Sequence, residues 1–135
     1  MKTIKKFPQG TFCWVDLSSS DLTSSKNFYS ALFGWSSKDF MWPEESGKSG
    51  VMYSMQLLGE HSVAGMGSPM DENMPPFWAS YISVDDIQTT VEKVRNAGGT
   101  IIMEPMDIMT SGKMAVVQDP TGAYISLWQA GDHIG

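Results

Sequence analysis

Cysteine, histidine and basic residues are all scarce in this 135-residue chain. The single cysteine, Cys13, cannot close an intramolecular disulfide, which fits a reducing compartment. Lys and Arg number 9 against 15 Asp and Glu, for a formal charge of -6 and a pI near 4.7. That balance argues against a nucleic-acid partner, because a phosphate backbone calls for a basic surface. Lys2, Lys5 and Lys6 cluster at the start and read as a solvated end. No apolar run follows them that could serve as a signal-peptide core, and no stretch approaches the roughly 20 apolar residues of a membrane span. Paired-cysteine metal motifs and a G-x-S-x-G elbow are also missing, and GMGSPM lacks the spacing of a phosphate loop. The expectation is a soluble cytoplasmic protein without nucleic-acid or membrane partners. What the chain does have is core material: 41% hydrophobic residues, including 11 methionines.

A unit is written twice. WVDLSSSDL begins at Trp14 and ASYISVDDI at Ala79, 65 positions later. In that frame Asp21 falls on Asp86, Leu22 on Ile87 and Gly34 on Gly99. An Asp accepts hydrogen bonds from the free amides of a helix start, and a Gly lets the chain leave the helix with positive φ. Between these signals Leu22, Phe28, Tyr29, Leu32 and Phe33 keep near-helical spacing and predict a buried stripe, as do Ile87, Val91 and Val94. An alternating strand precedes each helix, and three strand-like runs broken by turns follow it, including the DPTG turn before AYISLWQ. Each half therefore reads βαβββ: module one over about 10–67, a proline-rich linker over 68–76, and module two over about 77–130. The whole is one α+β domain, since each half is too small to hide its own sheet face.

The order GTFCWVDLSSSDLTSSKNFYSALFGW, a second strand–Asp–helix unit ending AGG, and the closing DPTGAYISLWQ resembles the vicinal oxygen chelate superfamily. That superfamily contains glyoxalase I, extradiol dioxygenases and bleomycin-resistance proteins. The similarity spans about Gly10 to Gln129, and it looks nearest to glyoxalase/bleomycin-resistance-like proteins typified by a two-unit mycobacterial antigen. The resemblance implies paired modules that curl their sheets around a cavity for small molecules, and chains of this length that form homodimers.

In metal-binding members, His, Gln or Glu side chains on the first strand of each module, and a Glu on the last strand of each, hold an Fe, Mn, Ni or Zn ion. Carried onto this sequence, those positions fall on Trp14, Ala79 and Ser126. An indole has no lone pair free for a metal, alanine has no donor, and a serine hydroxyl is a poor ligand alone. The fourth position is His61 by the 65-residue frame and Val63 by alignment of the turn glycines. His61 is the one remaining ligand candidate, and its alternative is an ordinary strand or turn residue; His133 reads as a solvent-exposed tail residue. No cofactor is expected, although a divalent metal stays open, and metal-dependent glyoxalase or dioxygenase chemistry of the usual kind is not predicted.

Strand alternation puts Phe12, Trp14 and Asp16 on the face away from the helix, with Tyr81 equivalent to Asp16. Tyr124, Ser126 and Trp128 share the corresponding face of the last strand, and Tyr53, Met55 and Met114 are further candidates. An aromatic and soft lining with few polar tips suits a small, flat or apolar ligand, and equally suits plain core or dimer interface. The sequence therefore predicts a metal-free small-molecule binder, for sequestration or delivery, built on Trp14, Asp16, Tyr53, Met55, Ala79, Tyr81, Met114, Tyr124, Ser126 and Trp128. A superfamily enzyme with atypical ligands, or with proton transfer by Asp16 and Tyr81, is the alternative; a protein-interaction module is another. Cys13 points by parity towards the helix and reads as buried packing.

Overall fold

The computed structural model describes residues 4–135, so that Lys2 lies outside the described residues, while Lys5 and Lys6 are exposed. The chain divides into two compact units. A central unit is Val15–Ala79, and a flanking unit joins the residues up to Trp14 to Ser80–Gly135. Strand β1 (Phe12–Ser18) passes from the second into the first.

In the central unit β1 is followed by α1 (Leu22–Phe33), β2 (Ser36–Met41), β3 (Val51–Leu58) and β4 (His61–Gly67). β2, β3 and β4 pair antiparallel in turn, and β4 runs parallel to the end of β1. The flanking unit takes up β5 (Phe77–Ser83) from Ser80 on, then α2 (Ile87–Asn96), β6 (Thr100–Ile108), β7 (Gly112–Gln118) and β8 (Tyr124–Ala130). β5 lies parallel to β8, while β8, β7 and β6 are antiparallel neighbours. The expected βαβββ order thus stands in both halves, with residues 68–76 as an irregular connection.

Both predicted helix starts are capped as expected. Asp21 accepts from the Ser24 amide at 3.1 Å and the Ser24 hydroxyl at 2.8 Å, and Asp86 accepts from the amides of Gln88 and Thr89. These bonds satisfy amides that have no partner inside the helix, and they hold both carboxyls below the usual range, chiefly through the Ser24 and Thr89 amides. Gly34 ends α1 with φ of 73°. In the second half it is Gly98, one residue before the position equivalent to Gly34, that takes positive φ. Gly99 is needed for closeness instead: a Cβ there would sit 2.7 Å from Val94 Cγ1 and 3.0 Å from the Gln118 carbonyl.

The apolar core of the flanking unit is Val84, Ile87, Val91, Ala115, Val117 and Leu127, with Ile82, Val94, Ile101 and Ile125 packed against it. The α2 stripe is therefore buried as predicted, and burying a side chain such as Ile87 contributes about 1.5–3 kcal/mol.

Helix α1 behaves differently. None of its residues is buried, and Phe28, Leu32 and Phe33 are 55%, 53% and 53% exposed, which corrects the predicted buried stripe. The strands to which α1 is tied carry polar groups instead. Lys26 of α1 pairs with Asp39 of β2 at 2.9 Å, and Asp39 also accepts from the hydroxyl of Ser54. Gln56 donates to Ser54 Oγ and accepts from Ser37, so that the fully buried Ser54 and Gln56 are both satisfied. The Ser54 hydroxyl and then Lys26 lower the Asp39 pKa. The aromatic residues gather at the helix end, where Tyr29 stacks on Trp35 and accepts a hydrogen bond from Trp78 Nε1 at 3.0 Å.

Candidate functional site

In the flanking unit the strand register brings together four of the predicted residues, and a fifth, Trp14, is joined to them through the His133 ring. Tyr81 pairs with Ser126 across β5 and β8, and Trp128 lies opposite Met114 across β8 and β7. All four are buried. Tyr81 and Trp128 meet edge to face with centroids 6.3 Å apart. The Trp128 indole lies over Gly112, where a Cβ would come within 2.6 Å of Trp128 Cζ2. Trp14, half-buried, meets the His133 ring at 4.7 Å and 74°. Tyr124, at the start of β8, is exposed and stands outside this cluster.

His133 is the residue that sequence reasoning placed wrongly. It is half-buried, with its imidazole against Trp14 and 6.3 Å from Trp128, rather than in a solvated tail. Backbone bonds put it there: Gly131 and His133 donate to the Ser111 carbonyl and Asp132 donates to that of Thr110. Trp128 Nε1 donates to the His133 carbonyl at 2.8 Å. The Gly135 amide donates to Nδ1 at 3.0 Å, which makes Nδ1 an acceptor and leaves the neutral ring's hydrogen on Nε2. Burial pushes the His133 pKa below its ordinary value.

The central unit holds a second group. Asp16, Gly65 and Met55 lie side by side on β1, β4 and β3. From two residues away along β3, where it pairs with Gly67, Tyr53 reaches back over Gly65, where a Cβ would fall 1.6 Å from its hydroxyl oxygen. That hydroxyl donates to Asp16 Oδ2 at 3.3 Å. Two strands thus need a glycine so that an aromatic ring can lie across them, Gly65 under Tyr53 and Gly112 under Trp128. Ala79 is half-buried near the middle of β5. Cys13 is buried with its thiol pKa raised by desolvation, in keeping with a packing role.

The register also corrects the fourth ligand position. Asp16 and Tyr81 are equivalent in the 65-residue frame; Tyr81 pairs with Ser126 and Asp16 with Gly65. The counterpart of Ser126 is therefore Gly65, neither His61 nor Val63. The hairpins differ: two residues join the paired Leu58 and His61 and five join Gln118 and Tyr124, and a register shift between Gln56 and Leu57 adds to the difference. His61 lies at the start of β4 opposite Leu58. The four positions where relatives could hold a metal carry Trp14, Gly65, Ala79 and Ser126, one weak hydroxyl donor in all. Among the described residues no group of three or more His, Cys, Asp or Glu is placed to hold a metal ion. Neither unit's share of these positions supplies donors for an Fe, Mn, Ni or Zn ion: an indole and a serine hydroxyl in one, a glycine and an alanine in the other.

Among the described residues no helix is long and apolar enough to cross a membrane. The chain is 44% identical to "Putative glyoxylase CFP32" of Mycobacterium tuberculosis over 96% of its length and 49% of that protein's. It is 33% identical to "Anthracycline biosynthesis protein DnrV" of Streptomyces peucetius, over 93% of this chain and again 49% of the relative. The chain thus spans about half the length of the curated relatives it matches. Among solved structures, methylmalonyl-CoA epimerase from Mycobacterium tuberculosis shares the fold, with a TM-score of 0.63 at 14% identity over 96% of this chain and 93% of that one. A superfamily member from Vibrio splendidus 12B01 gives 0.57 at 18% identity, over 88% and 99%. Residues 11–127 match the family pattern itself, and the chain belongs to the Glyoxalase/Bleomycin resistance protein/Dioxygenase superfamily.

Proposed function

We propose that this chain binds a small, planar, partly aromatic molecule on the face formed by Trp14, Tyr81, Met114, Ser126 and Trp128, without a resident metal, and so sequesters or delivers it. The observation that carries this is that two indoles, Trp14 and Trp128, meet the flat ring of His133, with the Tyr81 phenol edge to face against Trp128 and Met114 opposite Trp128 across the strands. Such surfaces bind through dispersion and edge-to-face contact, with a few polar tips to fix orientation. The name of the Streptomyces peucetius relative supports the same ligand class, since anthracyclines are fused planar rings.

The test is a titration of intrinsic tryptophan fluorescence with 1,4-dihydroxyanthraquinone. Saturable quenching is expected, weakened at least about tenfold in Trp14→Ala, as the loss of one aromatic contact worth over 1.4 kcal/mol requires. Quenching that never saturates, or that is untouched in Trp14→Ala, would remove the assignment. Phe28, Leu32 and Phe33, left open on α1, support self-association as a homodimer.

The Asp16–Tyr53 hydrogen bond favours a second role, metal-free proton transfer with the Asp16 carboxylate as base. In that case turnover vanishes in Asp16→Asn while ligand binding and the thermal midpoint persist.

A further inference from the structure

We propose that residues 131–135 form a displaceable strap, and that His133 occupies the slot which a planar, carbonyl-bearing ring of the ligand takes when the strap leaves. This rests on the aromatic face being the binding face.

The strap is fitted rather than loosely draped. Gly131 and Gly135 both lie where a side chain could not. A Cβ on Gly131 would come within 2.6 Å of the Thr110 carbonyl oxygen, and one on Gly135 within 2.5 Å of the Cys13 carbonyl oxygen. Yet what holds the strap is replaceable. Its attachments are three backbone bonds to Thr110 and Ser111, the Trp128 indole bond, and edge contacts of one imidazole. None of the ion pairs found among the described residues involves it, and such neutral hydrogen bonds contribute little net free energy each because water can replace them. The turn it grips includes Met109, a non-glycine residue at φ of 49°, so that the grip closes on a backbone in a sparsely populated conformation.

The polar contacts name the ligand's chemistry. In the strapped state the Trp128 Nε1–H is paired with a carbonyl oxygen, that of His133. A buried indole N–H left without an acceptor is costly, so a ligand that displaces the strap must bring its own acceptor to that point. An aromatic ketone or quinone offers both parts, a flat ring for the space of the imidazole and an oxygen for the indole.

The experiment compares the intact chain, a variant lacking residues 131–135, and Gly135→Ala, in titrations with 1,4-dihydroxyanthraquinone. Nitrogen-15 spectra of the Trp128 indole N–H are recorded alongside. A strap closed about nine-tenths of the time raises the apparent Kd of the intact chain about tenfold. The deletion is therefore expected to bind at least about tenfold tighter, with Gly135→Ala in between. In the intact chain, saturation should shift the Trp128 indole N–H and abolish the exchange protection of the His133 amide. Should the deletion fail to fold, the Gly135→Ala affinity and the His133 amide still decide. Equal affinities with an unmoved His133 amide would overturn the strap and leave the aromatic face standing if Trp14→Ala still weakens binding. Absence of binding in every variant would overturn the binding face, and the strap with it.

Discussion

Gly65→Ala is the substitution that most directly probes how Tyr53 is laid across β4. A Cβ at this position would fall 1.6 Å from the Tyr53 hydroxyl oxygen and 2.1 Å from Cζ, so the ring must swing away. Inserting a methyl group into a filled site costs about 1–3 kcal/mol through off-rotamer side chains and local shifts. The swing also breaks the bond from Tyr53 to the Asp16 carboxylate, worth about 1 kcal/mol at its length of 3.3 Å. The sum is about 2–4 kcal/mol, and at about 3–5 °C per kcal/mol for a chain of this size the midpoint should fall by about 10 °C. Differential scanning fluorimetry of Gly65→Ala, Tyr53→Ala and the double variant separates the two parts. With the ring gone the added methyl has room, so Gly65→Ala should cost less than about 1 kcal/mol in the Tyr53→Ala background. A midpoint unmoved in Gly65→Ala, or an equal loss in both backgrounds, would show that Tyr53 does not lie over Gly65.

His133 predicts a pH effect with a definite sign. Its folded pKa lies below the ordinary 6.5, so the unfolded chain takes up the proton first and stability falls as pH drops below 6.5. Chemical denaturation at stepped pH should show this decline in the native chain and lose that component in His133→Ala. The lowered carboxyls Asp21, Asp39, Asp86 and Asp119 act only in a separate window, below about 3.8. The two helices should respond unequally to truncation: Ile87→Ala, at a fully buried site, is expected to cost about 2–5 kcal/mol in urea unfolding, and Phe28→Ala less than about 1. Chelator-treated protein should show no saturable midpoint rise with Fe(II), Mn, Ni, Co or Zn, whereas a site at a hundredfold excess over its Kd would add about 2.7 kcal/mol.

What could be read from the sequence was set by local chemistry. Asp21 and Asp86 cap helices because their oxygens meet free amides three residues on or sooner, and that spacing is written in the chain. The faces of β8 followed from strand parity: Ser126 and Trp128 lie on one side, Ile125 and Leu127 on the other with α2. The misreadings share a cause, dependence on contacts distant in sequence. The two hairpins have loops of different length and β3 meets β4 with a bulge, so neither the repeat frame nor a count from the turn glycine reaches the counterpart of Ser126. The helical spacing of Phe28, Leu32 and Phe33 states only that they share a face. Whether that face is covered depends on what lies against it, and α1 is tied to β2 by a polar pair, Lys26 with Asp39. His133 was lost because its segment is held by backbone amides, which carry no signature of residue type. The glycines at 131 and 135 were the available signal, as points of close approach.

The departures from a metal-binding pattern are coupled. If Gly65 were merely a lost ligand, restoring a carboxylate there would be a simple local change. The vacant space, however, is taken by Tyr53, whose hydroxyl and ring carbon fall within 1.6 and 2.1 Å of the first side-chain atom that would return. A glutamate at 65 would have to expel that ring and would then stand beside Asp16, one strand away, as a second anion. On the other unit Trp14 is packed on His133, and a smaller imidazole at 14 would leave a void beside it. At 65 and at 14 the neighbouring ring is thus fitted to the residue that is present. A carboxylate at 65 is therefore accommodated only if Tyr53 is reduced as well, and a smaller ring at 14 only if the space beside His133 is filled. Gly65→Glu alone should destabilise the fold before it binds anything, because it adds volume and charge where the packing has already closed.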